Sequence, residues 1–323
     1  VKELKILIMG LGALGTVYSC LLKENGHKVL GLVRESLVSV VQEQGVKVTG
    51  IWGDHHAKLD NVVAGAGILR DTDIDMIIIT VKSFDTEQVI RQIKHLVSPS
   101  TYVVLLQNGY GNYEAAVKHV PPAQLILGRV IFGAETLAPG ASKVTVIADD
   151  VIIGAPNNQI DFKILAHLAG VFAEAGIPTK ASAEIMKNLW GKIIYNSALN
   201  PLGAIFKVNY GKLAEVKESR LLLEKIIREI FELLAVSEQE TFWPDADAYL
   251  KDFFEKLIPT TAAHHASMLQ DIQNGKRTEI DALNGAIVRL GREYGVKVPV
   301  NEMVTLMIKA KEKFNYTDQS LKK

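Results

Sequence analysis

The stretch from Leu4 to Gly15, LKILIMGLGALG, constrains the fold more than any other part of the chain. Leu4 to Met9 is a short apolar run with charge before it and glycine after it, the pattern of a strand buried on both faces of a parallel sheet. Gly10, Leu11, Gly12, Ala13, Leu14 and Gly15 then fit G-x-G-x-x-G at the strand's end, and Ala13 to Glu24 continues as a helix. Gly10 allows the tight turn, Gly12 leaves room for a pyrophosphate against the backbone, and Gly15 lets helix and strand pack closely. The helix start adds unpaired N–H groups and a partial positive charge that suit phosphate. A dinucleotide site at residues 10–15 is the expectation.

The end of the second strand decides which dinucleotide. His27 to Val33 reads as that strand, and Arg34 follows it directly. An acid here binds a free ribose 2′-hydroxyl, whereas a basic residue accommodates a 2′-phosphate. Arg34 offers a planar fork suited to phosphate, so NADP(H) is the favoured cofactor. Glu35, one residue on, is the competing acid, with Arg34 then stacking on the adenine.

Composition narrows the classes. Hydrophobic residues make up 48% and charged ones 22%, the balance of an ordinary globular protein. Lysine plus arginine equals aspartate plus glutamate at 36 each, so no field of one sign is present to hold nucleic acid or an anionic membrane. No run approaches the ~18 apolar residues of a membrane span, and the start of the chain lacks a signal-peptide pattern. A cytoplasmic location is expected. The lone cysteine, Cys20, sits in the first helix as a small buried hydrophobe.

Along the chain, strands and helices alternate. Further strands are read at Val46–Val48, Asp75–Val81, Tyr102–Leu106 and Leu125–Phe132, with helices at Ser36–Gln44, Thr86–Leu96 and Ile160–Ala175. Val144–Ile147 and Val151–Ile153 read as a hairpin, and Ile177–Lys180 as a short last strand. This is an α/β Rossmann-type doubly wound sheet. From Ser182 strand signals give way to amphipathic helices near Ser182–Asn200, Lys212–Val236, Asp245–Leu257, Thr278–Tyr294 and Glu302–Phe314. The expected division is therefore a cofactor-binding domain over 1–181 and an all-α domain over 182–323, the second supplying the substrate side of a cleft. The lysine-rich tail is expected to fray. The helices from Lys212 onward would serve a homodimer or an intrachain core equally well.

Lys192, Asn196 and Asn200 stand at i, i+4 and i+8 in LWGKIIYNSALNP, which places them on one helix face among apolar neighbours. Buried polar groups need partners, because each left unpaired costs roughly 1–3 kcal/mol. A ligand carrying oxygens would satisfy them, and a polar seam between helices would do so equally. Pro201 sets Asn200 near the helix end. In SMLQDIQNGKRTEID, Thr278 followed by Asp281 reads as an N-terminal cap, with Glu279 in the first turn of the next helix. The pairs His55-His56 and His264-His265 invite a metal, but adjacent histidines diverge and no further ligand pattern accompanies them, so no metal is expected.

These segments together resemble the ketopantoate reductase family over nearly the whole length. The residues that carry the likeness are GLGALG at 10–15, Arg34, TVKSFD at 80–85, LLQNGYGN at 105–112, LWGKIIYNSALNPLGA at 189–204 and SMLQDIQNGKRTEID at 267–281. The resemblance implies NADPH-dependent reduction of a small 2-oxo acid, ketopantoate, in pantothenate and coenzyme A synthesis. By it Lys192 donates the proton, and Glu279 orients the site or binds cofactor. Asn108, Asn196, Asn200, Tyr210 and Ser267 hold the substrate, while Lys82, Asn108 and Ala134 line the nicotinamide side. Two features depart from the family: Tyr210 stands where a further asparagine is usual, and the region 144–150 lacks the expected histidine and glycine. Two alternatives follow: a D-2-hydroxyacid dehydrogenase acting on another bulky 2-oxo acid, and a non-catalytic NADPH sensor.

Overall fold

A computed structural model of the chain describes residues 2–69 and 73–320, with side chains through Phe314. The tail expected to fray falls on 321–323, outside the described residues. The chain forms two compact units, Val1–Gln107 with Asn112–Ile185, and Asn108–Gly111 with Met186–Lys323.

The first unit is an α/β sheet domain. Its main sheet has eight strands in the order β12-β11-β8-β7-β6-β1-β2-β5, parallel except where β11 meets β8. Strand β1 (Lys5–Met9) lies between β2 (Lys28–Leu32) and β6 (Met76–Ile79), with β5 (Asn61–Val63) beyond β2 and β7 (Tyr102–Leu105) beyond β6. Ile6 through Met9 and Met76 through Ile79 have no exposure, so these runs are apolar throughout because both faces are covered. Helices α1 (Ala13–Glu24), α2 (Glu35–Gln44), α3 (Thr86–Ile93), α4 (Asn112–Ala116) and α5 (Phe162–Glu174) connect the strands. The chain steps from β1 to β2 on one side and later to β6 on the other. The carboxyl end of β1 is therefore a point where strand order reverses, the place where open parallel sheets bind ligands.

The expected hairpin does not form. Strand β10 (Ala141–Ile147) pairs instead with β9 (Phe132–Ala138) and with β3 (Val46–Gly50), which also meets β4 (His55–Ala57), in a separate four-stranded sheet. Strand β11 (Val151–Gly154) belongs to the main sheet, between β12 (Thr179–Ala181) and β8 (Leu125–Arg129). The single strand expected over Leu125–Phe132 is thus two, ending at Arg129 and restarting in the other sheet. Arg129 holds the crossover by donating to Asp149 Oδ2 at 2.7 Å and to the Asp150 carbonyl at 3.2 Å. Ala134 accordingly lies within β9, opposite Val144, rather than past a strand end.

The histidine pair has a structural use. His55 Nδ1 lies 2.6 Å from Glu24 Oε2 and its Nε2 3.0 Å from the Trp52 carbonyl, while the His56 N–H donates to Glu24 Oε1. Burial pushes the His55 imidazole down, but the bonds to Trp52 and Glu24 outweigh it and the net shift is upward. A raised folded-state value stabilises fully below the unfolded value and is lost as pH rises through the folded one. His55→Gln should therefore flatten the fall in Tm above about pH 6.5; a wild-type Tm profile identical to the variant's would contradict this. Cys20 is buried with its thiol pushed up to about 12 by burial and then by Glu24, as an inert packing residue would be.

The second unit is helical: α6 (Ile185–Phe206), α7 (Tyr210–Glu215), α8 (Lys217–Leu234), α9 (Ala246–Asp252), α10 (Ile258–Thr260), α11 (Ser267–Gln273), α12 (Asn284–Tyr294) and α13 (Pro299–Ser320). Two expectations need correction. Helix α6 does not end at Asn200 but runs through Pro201 to Phe206. Proline cannot donate to the carbonyl four residues back, yet that carbonyl, of Ser197, accepts from Asn284 Nδ2 at 2.9 Å. The long helix expected from Lys212 breaks at Val216, whose extended backbone (ψ 124°) precedes α8.

Candidate active site

Two arrangements bring candidate functional residues together, one in each unit. In the first, Gly10 has φ +96°, a backbone that L side chains rarely adopt, and a Cβ on it would lie 2.8 Å from Val81 Cγ1. A Cβ on Gly15 would sit 1.9 Å from the Gly10 carbonyl oxygen and 2.6 Å from Thr80 Oγ1. Only glycine lets α1 approach β1 this closely. A Cβ on Gly12 would meet nothing within 4 Å, so open space lies over the turn. Gly12 is the N-cap of α1, and the first turn of that helix holds no acid. Space, unpaired first-turn N–H groups and a favourable dipole fit a pyrophosphate.

Arg34 is exposed at the N-cap of α2, past the end of β2. Among the described residues its guanidinium has no hydrogen bond or ion pair, and Glu35 opens the helix beside it. Lys82 lies past β6, where its carbonyl accepts from the Asp85 N–H at 2.9 Å to cap a single 3-10 turn. Leu11, Ala13 and Leu14 complete the glycine turn.

In the second unit the lysine has company that helical spacing did not reveal. Lys192 Nζ donates to Asn108 Oδ1 at 2.6 Å, and Asn108 Nδ2 donates to Glu279 Oε2 at 3.3 Å. An ammonium only donates and a carboxylate only accepts, so the amide can lie only one way round. Asn108 reaches this place because its loop is pinned to the 280–282 turn. Gly109 has φ +82° and a Cβ there would come 2.4 Å from the Ala282 carbonyl oxygen. The Tyr110 N–H donates to that same oxygen at 2.8 Å, and its ring packs on Trp190.

Glu279 is not in the first turn of a helix. A 3-10 turn follows it, and α12 starts only at Asn284. Thr278 does not cap α12 either: its hydroxyl accepts from the Ile280 N–H, and its own N–H donates to Glu312 Oε1 at 2.7 Å. Asp281 pairs with Lys309 at 2.6 Å and Arg277 at 3.2 Å. Burial raises its carboxyl, but those two cations outweigh that and hold it below the usual range. The segment is thus fastened to α13, and Glu279 is set in place by its neighbours.

Asn196 and Asn200 follow Lys192 on α6 and are 8% and 4% exposed. Asn200 Oδ1 accepts from the Tyr210 hydroxyl at 2.7 Å, whereas the Asn196 amide has no hydrogen bond among the described residues. Tyr210 itself is buried, so its hydroxyl is engaged with Asn200. Ser267 is exposed as the first residue of α11. The Lys192–Asn108–Glu279 chain joins residues 84 and 171 positions apart, which no local pattern could have disclosed. Among the described residues no group of three or more metal-ligating side chains is found, and no helix is long and apolar enough to cross a membrane.

The two arrangements define a class of architecture, a parallel sheet whose glycine turn fits a dinucleotide and a helical unit that holds a lysine, an amide and a carboxylate in one hydrogen-bonded chain. Comparison with known proteins gives the family. Residues 6–158 match the model of ketopantoate reductase PanE/ApbA, and 184–312 match its C-terminal model. The 2-dehydropantoate 2-reductase of Aquifex aeolicus is 47% identical over 315 residues, 98% of this chain and 99% of that one. That of Pyrococcus abyssi is 32% identical over 309 residues, covering 96% and 98%. A solved ternary structure of D-mandelate dehydrogenase with NADH and anilino(oxo)acetate superposes with a TM-score of 0.87 at 28% identity, covering 97% and 99%. The chain belongs to the ketopantoate reductase family.

Proposed function

We propose that this protein reduces 2-dehydropantoate to (R)-pantoate with NADPH. The observation that carries the reading is the hydrogen-bonded chain Lys192–Asn108–Glu279 beside the open amide of Asn196. The 10–15 turn would hold the pyrophosphate of NADPH and Arg34 its 2′-phosphate, and the bound coenzyme would supply a hydride to the C2 ketone. As hydride adds to the C2 ketone, negative charge grows on its oxygen. The Lys192 ammonium stabilises that charge and donates the proton. Asn108 ties the ammonium to Glu279, so Lys192 stays aimed during the transfer. Asn196, Asn200 and Ser267 would hold the substrate's polar groups, and Lys82, Ala134 and Asn108 the nicotinamide side.

A second reading has its own support. D-mandelate dehydrogenase, the neighbour crystallised with NADH, shares the architecture over nearly the full chain. A D-2-hydroxyacid dehydrogenase working on another bulky 2-oxo acid is the alternative. A panel of 2-oxo acids assayed for nicotinamide oxidation, with NADPH and NADH in parallel, separates the two. Preference for ketopantoate with NADPH is expected; faster turnover of an aryl 2-oxo acid with NADH would move the assignment to the second reading. Arg34→Ala should raise KM for NADPH by about tenfold to a hundredfold, the loss of one or two charge-assisted hydrogen bonds, and leave KM for NADH near wild type. An equal rise for both coenzymes would remove Arg34 as the phosphate reader.

A further inference from the structure

We infer that Tyr210 is a positioning residue that locks the Asn200 side chain with its oxygen inward, so that the site meets its 2-oxo acid with Nδ2 as a donor. This rests on the functional reading above. The Tyr210 hydroxyl is buried and donates to Asn200 Oδ1 at 2.7 Å. Burial raises that phenol far above its ordinary range, so it keeps the proton it donates. With the amide reversed, Nδ2 could only donate to the phenolic oxygen, and the buried phenolic proton would lose its acceptor. The ring cannot swing away from this task. It packs edge-on against Tyr195 and His264, and its backbone N–H donates to the His264 carbonyl at 3.1 Å.

The consequence lies on the face of α6. With Oδ1 engaged, Asn200 has only its two amide N–H groups left to offer, and Nδ2 has no hydrogen bond among the described residues. Four residues earlier Asn196 holds an unengaged amide, and four before that Lys192 is a pure donor. The row therefore favours a ligand presenting acceptors, and the ionised carboxylate of a 2-oxo acid is the group that matches. A substrate amide, which is partly a donor, would be disfavoured at Asn200.

Tyr210→Phe keeps the ring and removes the hydroxyl. The expected result is a rise of about tenfold in KM for the 2-oxo acid, one hydrogen bond's worth of substrate binding, with kcat changed much less. Because Tyr210 acts through Asn200, the same substitution in an Asn200→Ala background should add almost nothing. Asn200→Asp, should the phenylalanine variant fold poorly, puts a carboxylate oxygen where Nδ2 stood. It should raise KM more than Asn200→Ala does, by like-charge repulsion. Unchanged KM in Tyr210→Phe, an equal factor in both backgrounds, or Asn200→Asp milder than Asn200→Ala would overturn the inference. A wild type that reduces no 2-oxo acid overturns the functional reading as well, and so is told apart from these.

Discussion

Lys192→Ala lowers kcat for 2-oxo acid reduction by roughly a hundredfold or more, the range expected when a positioned proton donor is removed. NADPH affinity stays within about twofold of wild type, because the glycine turn and Arg34 are untouched. The geometry makes the prediction sharp. Lys192 Nζ is held by the 2.6 Å bond to Asn108 Oδ1, so the ammonium is set in one place. Asn108→Ala should act in the same direction and less strongly, since it releases Lys192 from Glu279 without deleting the ammonium. A non-catalytic NADPH-binding protein would behave otherwise, with nothing to lose at Lys192. Steady-state kinetics with coenzyme binding by fluorescence titration checks both halves.

Asn284→Leu destabilises the helical unit by roughly 2–6 kcal/mol, about 1–3 for each of two buried acceptors left unpaired. Asn284 Nδ2 donates at 2.9 Å both to the Ser197 carbonyl, which Pro201 cannot serve, and to Asn301 Oδ1. Asn301 in turn donates from Nδ2 to Glu229 Oε2 at 2.8 Å, and Glu229 also accepts from the N–H groups of Val300 and Asn301 at the start of α13. Removing the middle amide strands acceptors at both ends. A fall in Tm of roughly 5–15 °C follows for a unit of this size. A loss under about 1 kcal/mol by denaturant titration would show that the network adds little. Because α6 carries Lys192, Asn196 and Asn200, this buried chain also supports the helix that would present the proposed substrate face as it continues through Pro201.

What could be read from the residues, and what could not, divides along physical lines. Strands β1, β6 and β7 are unbroken apolar runs because both faces are covered, and such runs announce themselves. Helix α1 matched its expected bounds, Ala13 to Glu24, since glycine and a strand fix its start and a second strand its end. The four-stranded sheet was hidden. Its strands are half exposed, and β3 finds its partner β10 about a hundred residues on, a pairing that no local pattern encodes. Pro201 was a fair stop signal, overridden by a side chain from α12 that replaces the missing hydrogen bond.

The site shows the same contrast. Lys192, Asn196 and Asn200 share a face by arithmetic alone. That Asn108 stands between Lys192 and Glu279 follows from Gly109 packing on Ala282, a contact between segments far apart in sequence. Glu279 looked like a helix-start acid because Thr278 and Asp281 have capping composition. Those two residues spend their hydrogen bonds instead on the 280 turn and on the Glu312 and Lys309 side of α13.

Ketopantoate-dependent oxidation of NADPH by the wild-type protein, with pantoate counted as it forms, tests the proposed reaction itself. One pantoate is expected for each NADPH consumed, with no consumption in the absence of the 2-oxo acid. NADPH binding with no ketopantoate-dependent oxidation would contradict it.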